Sequence, residues 1–82
     1  MPRFYFDVQE DGKVSSDQLG VECADLGAAE CEAARGAADI ARDRLQKGDV
    51  HEIVVGVRDE HGFLMSTTTV SLVVRRTVRA LV

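Results

Sequence analysis

The stretch DLGAAECEAARGAADIARDRLQKG, residues 25–48, decides how the rest of the chain has to be arranged. Its small apolar residues recur at helical spacing. At about 100° per residue, Leu26, Ala29, Ala33, Ala34, Ala37, Ile40, Ala41 and Leu45 share one face, opposite Glu32, Arg35, Asp39, Arg42, Asp43 and Gln46. Asp25 is an N-cap whose carboxylate accepts from the unpaired amides of a first turn and complements the helix dipole. Lys47 followed by Gly48 is the matching stop. The spacing predicts one long helix over 26–47. Gly36 edges the apolar stripe and costs roughly 1 kcal/mol against alanine. Glu30 and Arg44 project into the stripe near its ends, where long side chains bend outward. A face made of alanine brings the helix axis close to its support, so the support has to supply the bulk.

Residues 3–9 supply it. Phe4, Phe6 and Val8 alternate with Arg3, Tyr5, Asp7 and Gln9, the pattern of a strand with one apolar face. Glu10-Asp11-Gly12 follows as a hairpin turn. Pairing Gln9 with Lys13 sets Val14 opposite Val8 on the core face. Ser15, Ser16, Asp17 and Gly20 interrupt the return strand, so 13–23 reads as one bulged or broken strand. After the helix, Val50–Asp59 is a strand with Ile53, Val55 and Val57 on one face and Val54 and Gly56 on the other. Asp59-Glu60-His61-Gly62 reads as a type I turn with a glycine bulge, pairing Asp59 with Phe63. Continued regularly, that register carries Phe63, Met65, Thr67 and Thr69 to the helix side. It sends Leu64, Thr68, Val70, Leu72 and Val74 outward with Val54 and Tyr5. The expected fold is α+β in two layers, β-β-α-β-β, with a four-stranded, mainly antiparallel sheet and the helix on one face.

Eighty-two residues, 45% hydrophobic and 29% charged, fit a single globular domain, 1–82, near the lower size limit for folding on hydrophobic burial. No apolar run approaches the ~18 residues of a membrane span. Met1-Pro2-Arg3-Phe4 opens without a charged leader and apolar segment, so the expectation is a cytoplasmic protein with Cys23 and Cys31 reduced. Both cysteines read as small buried apolar residues. The net charge of −4 disfavours non-specific attraction to nucleic acid or anionic membrane. Arg75, Arg76 and Arg79 are the only charged residues after Glu60, which makes 70–82 a cationic extension on an acidic body.

Chemistry is sparse. No Walker loop, dinucleotide-binding glycine fingerprint or nucleophile elbow is present, and Cys23 and Cys31 lack Cys-x-x-Cys spacing. His51 and His61 sit at opposite ends of one strand, roughly 30 Å apart at ~3.3 Å per residue, too far to share a metal. Asp17 and Glu22 flank Gly20 in a pattern that turn chemistry explains without a cation. The reading therefore expects no cofactor and no metal, and it leans away from an enzyme.

The order Pro2-Arg3-Phe4-Tyr5-Phe6-Asp7-Val8, Asp11-Gly12, Asp17, Gly20-Val21-Glu22, Asp25-Leu26, Ala28-Ala29 and Glu32-Ala33 resembles a family of short bacterial proteins, abundant in rhizobia-like alphaproteobacteria, catalogued as a domain of unknown function. The resemblance covers 2–62, includes the Asp59–Gly62 turn and implies the same strand–strand–helix–strand–strand order. It brings no catalytic residues, and the chain departs from the pattern after Met65.

A sheet covered by one helix should be polar outside, yet the expected outer face carries Tyr5, Val54, Leu64, Val70, Leu72 and Val74. The last strand also outruns its partner. The functional expectation is a non-catalytic interaction or regulatory module acting as a homodimer through that face or the 70–76 overhang. The alternative is an antitoxin-like or nucleic-acid-associated regulator using Arg75, Arg76 and Arg79, with Tyr5 as a stacking surface. A helix over 70–82, aligning Val74, Val78 and Leu81, is the second reading of the tail.

Overall fold

The computed structural model describes residues 1–44, 51–75, 77 and 78. Strand β1 (Arg3–Glu10) is followed by two short strands, β2 (Lys13–Ser15) and β3 (Val21–Glu22), that both pair antiparallel with it. Helix α1 (Leu26–Arg44) comes next, then β4 (Glu52–Arg58) and β5 (Leu64–Ser71). The sheet order is β2-β1-β4-β5, with β3 beside β1 on the same edge as β2. This is the α+β arrangement of one helix on an antiparallel sheet, with the broken second strand in place.

The helix begins where its cap requires: Asp25 Oδ1 accepts from the Ala28 N–H at 2.8 Å. Leu45, Gln46, Lys47 and Gly48, expected to finish the helix, lie outside the described residues. The buried stripe is a strict i, i+4 row, Ala29, Ala33, Ala37 and Ala41, flanked by half-buried Leu26 and Ile40. Against it lie Phe4, Ile53, Val55 and Val57, all buried. Large residues from the sheet thus fill the space that alanine leaves. Each buried branched or aromatic side chain contributes about 1.5–3 kcal/mol. Ala34, expected in the stripe, is exposed instead, because the stripe follows the narrow i, i+4 ridge. Glu30 is exposed, and its Oε2 accepts from Ser66 Oγ on β5 at 2.6 Å.

Two registers differ from expectation. Asp11 (φ 45°) and Gly12 (φ 91°) make a two-residue turn with both central residues left-handed, so Glu10 pairs with Lys13 and Gln9 with Val14. Val14 therefore shares Gln9's outer face and is 63% exposed. At the second hairpin the expected turn forms: the Gly62 N–H donates to the Asp59 carbonyl, and the Asp59 N–H to Phe63. Leu64 pairs with Arg58, but Val57 then pairs with Ser66, leaving Met65 as an extra residue. A one-residue slip exchanges the faces of everything beyond it. Val55 opposes Thr68 and Ile53 opposes Val70, so Thr68 and Val70 face the helix, and Val70 packs against the core. Thr67 and Thr69 go outside, while Phe63 and Met65 are exposed at the hairpin end. The overhang is also shorter than expected. β5 ends at Ser71, where the Leu72 N–H donates to the His51 carbonyl, and 72–75 form neither strand nor helix.

Candidate interaction surface

Three strands build the outer face. β1 contributes Tyr5, Asp7 and Gln9; β4 contributes Val54, Gly56 and Arg58; β5 contributes Leu64, Thr67 and Thr69. No described element covers it. Of the residues expected at an interface, Tyr5, Val54 and Leu64 lie here. Val70 is turned to the core, and Leu72 and Val74 lie beyond the sheet. Leu64 folds across Gly56, where a Cβ would sit 3.1 Å from Leu64 Cδ1. Val14, Val54 and Leu64 are the apolar members of a shallow depression of about 300 Å³ that also holds Asp7, Gln9 and Thr67. The lining is mixed rather than greasy, less apolar than the expected register implied.

A charged knot occupies the other half of this face. Arg58 grips Asp7 with two bonds, Nε to Oδ2 at 2.5 Å and Nη2 to Oδ1 at 3.1 Å, and Nη2 also donates to the Asp17 carbonyl at 3.2 Å. The guanidinium lies 5.1 Å from the Tyr5 ring centroid, so Tyr5 is already stacked within its own chain. Asp17 completes the knot. Its N–H donates to Asp7 Oδ1, its Oδ2 accepts from the Phe6 N–H, and its Oδ1 accepts from the Leu19 and Gly20 N–H groups. The Phe6 N–H points away from β4 into the gap between β2 and β3, so the Asp17 carboxylate replaces the missing ladder partner there. Gly20 (φ 71°) is confined: a Cβ would meet Arg3 Cγ at 2.8 Å and Tyr5 Cε1 at 2.9 Å.

The electrostatics are set by these bonds. The Arg58 hydrogen bonds hold the Asp7 carboxyl below the usual carboxylate range, against partial burial. For Asp17, burial raises the pKa most strongly of any single influence, yet the N–H donors of Gly20, Phe6 and Leu19 together outweigh it and leave the group lowered. Arg58 is raised in turn by Asp7. The knot is fully internal in its bonding, so what it does is lock the 16–20 loop onto β1. The turn role of Asp17 was legible from Asp-x-x-Gly. The partnership with Asp7 and Arg58, on strands far apart in sequence, was not.

Elsewhere, Cys23 is buried in the core and Cys31 is exposed, both as free thiols. His51 contacts Asp11, whose carboxylate accepts its backbone N–H, and His61 lies in the β4–β5 turn. Among the described residues no three His, Cys, Asp or Glu side chains converge as a metal site, and no helix is long and apolar enough to cross a membrane. On the helix side, α1 packs on β4 and β5. Ser15 is all that β2 offers opposite Val8. A groove of about 180 Å³ therefore opens along β1 between Phe6, Val8, Val21, Gly36, Ile40 and Val55.

The remaining surface is the outer edge of β5, with which no described strand pairs, together with residues 72–75. The Leu72-to-His51 bond sets the alternation: Ser66, Thr68 and Val70 bond to β4, while the N–H and C=O groups of Thr67, Thr69 and Ser71 turn to the open edge. Beyond it, Val73 and Val74 are 68% and 83% exposed. Arg75 has no ion-pair partner among the described residues. Arg76 and Arg79 lie outside the described residues, as does Leu81.

No curated protein and no solved structure matches the chain. A family model does match, over residues 3–71, a span that takes in all six elements and stops where β5 stops. The knot, the bulged hairpin and the alanine-faced helix all fall within it, and the chain belongs to the family described as Domain of unknown function (DUF6894).

Proposed function

We propose that this protein is a small, non-catalytic interaction module that works as a homo-oligomer, with β5 and the segment after it as the contact surface. The observation that carries this reading is the run Gly62–Val74. It contains no charged residue and no proline, no described strand pairs with its outer edge, and it continues into exposed Leu72, Val73 and Val74. Soluble proteins guard such edges with lysine, proline, bulges or a covering element. Among the described residues the Met65 bulge is the one guard of this run, and it lies at the turn end, leaving Ser66–Ser71 regular. Pairing with another chain satisfies the edge groups and covers the apolar residues together.

Sedimentation equilibrium from low to high micromolar concentration tests the reading. A concentration-dependent dimer supports it, and a clean monomer at high micromolar removes it. Salt-dependent retention of a nucleic-acid pool, lost in the Arg75→Ala, Arg76→Ala double variant, favours the regulatory alternative instead.

A further inference from the structure

We infer that the partner at the β5 edge is a second copy of this chain, joined antiparallel about a two-fold axis at Thr68, so that the two sheets become one and the two α1 helices lie side by side across the axis. This rests on the homo-oligomer reading and specifies its geometry.

Charge sets the direction. The uncharged run is bounded by Asp59 and Glu60 at its start and by Arg75 and Arg76 at its end. A parallel pairing stacks acid on acid and arginine on arginine, whereas an antiparallel one brings each acidic end to the partner's basic end. The pleat sets the register. Residues directly opposite must share a face, so an antiparallel two-fold within Ser66–Ser71 has to pass through a residue, not between two. With Thr68 opposite its own copy, the edge groups of Thr67 bond those of the partner's Thr69, and Ser66 opposes the partner's Val70 on the helix side. Past the extra residue Met65, Leu64 opposes the partner's Ser71, both facing outward, so every residue of Ser66–Ser71 is paired with a strand residue of the partner. No neighbouring register that keeps the faces matched also pairs all of Ser66–Ser71 with strand residues.

The helix supplies an independent check. α1 lies over β4 and β5, beside the proposed axis. Strands about 4.8 Å apart then place the two helix axes about 10 Å apart, within the ordinary range of helix packing. Such an approach needs small residues where the two axes come closest. The Glu30–Ser66 bond identifies the β5 flank of the helix. Ala34 follows one turn later on that flank with Gly27 and Ala38 beside it, all exposed, while Glu32, Arg35 and Asp39 lie away from it. Thr68 is two residues beyond Ser66, about 7 Å along the strand, which is about four residues of helix from Glu30. Ala34 therefore sits at the axis, facing the partner's Ala34.

The test is disulfide cross-linking of the full chain carrying Cys31→Ser together with Ala34→Cys, under mild oxidation, alongside sedimentation. Arg35→Cys and Val54→Cys in the same Cys31→Ser background serve as controls on the solvent side of the helix and on the outer sheet face. Near-complete loss of the monomer band for Ala34→Cys, with both controls remaining monomeric on denaturing gels, supports the geometry. A sedimenting dimer in which Ala34→Cys fails to cross-link, or in which Val54→Cys cross-links instead, overturns the geometry and leaves the homo-oligomer reading standing. A monomer by sedimentation overturns both.

Discussion

Single residues hold the part of this fold that periodicity does not reach. Asp17 ties down three backbone N–H groups, and replacing it with alanine strands the half-buried Phe6 amide; Asp17→Ala should cost roughly 1–3 kcal/mol in urea denaturation. The sign of the pH dependence comes from the lowered carboxyls of Asp7 and Asp17. A depressed folded pKa means that the unfolded chain binds protons first as pH falls. The stabilisation is complete above about pH 5, declines through the unfolded carboxylate value of about 3.9, and is gone below the folded values. Asp7→Asn should lower stability at neutral pH and flatten its decline between pH 5 and 3, as read by thermal melts across that range. Gly20→Ala, forced into a left-handed conformation against Arg3 and Tyr5, should destabilise by more than the ~1 kcal/mol of an ordinary glycine replacement. In the sequence these residues read as turn formers, which is right locally. Their partners come from β1 and β4, and no local pattern encodes a meeting of residues 7, 17 and 58.

At the scale of elements, the helix was legible and the last strand was not. Ala29, Ala33, Ala37 and Ala41 recur every fourth position, and Phe4 supplies bulk opposite them, so period and size pointed the same way. Ala37→Leu should therefore overpack the helix–sheet contact at a cost of about 1–3 kcal/mol. In β5 the signals were weak. Ser66-Thr67-Thr68-Thr69 has no apolar alternation to announce which face is inner, and nothing marks Met65 as the extra residue. The turn is legible in Asp59–Gly62, and a single bulge beyond it exchanges the faces of 66–70. The register has a direct check. Val70→Ala removes two methyl groups packed on the core, whereas Thr69→Ala trims an outward side chain, so Val70→Ala should be the more destabilising by about 1 kcal/mol or more in denaturant titrations. The reverse order restores the regular hairpin.

For the molecule as a whole, the bulge changes which surface the proposed partner would use. The regular register made the outer face the apolar surface. With Val70 inside and the Asp7–Arg58–Asp17 knot outside, that face is largely self-satisfied, and the open groups concentrate along the edge of β5. Association through that edge is expected to use outward N–H groups that do not bond to β4. Thr69→Pro deletes one of them without touching the β4 ladder, a position where an edge strand tolerates proline. It should weaken dimerisation at least roughly tenfold while the monomer stays folded, as measured by sedimentation and circular dichroism. The most direct measurement is amide hydrogen exchange by NMR as a function of protein concentration. Ser66, Thr68 and Val70 donate to β4 and should be protected at every concentration, whereas Thr67 and Thr69 should exchange freely when dilute and become protected as the chains associate. Free exchange of Thr67 and Thr69 at concentrations where the protein sediments as a dimer would remove the β5 edge as the interface.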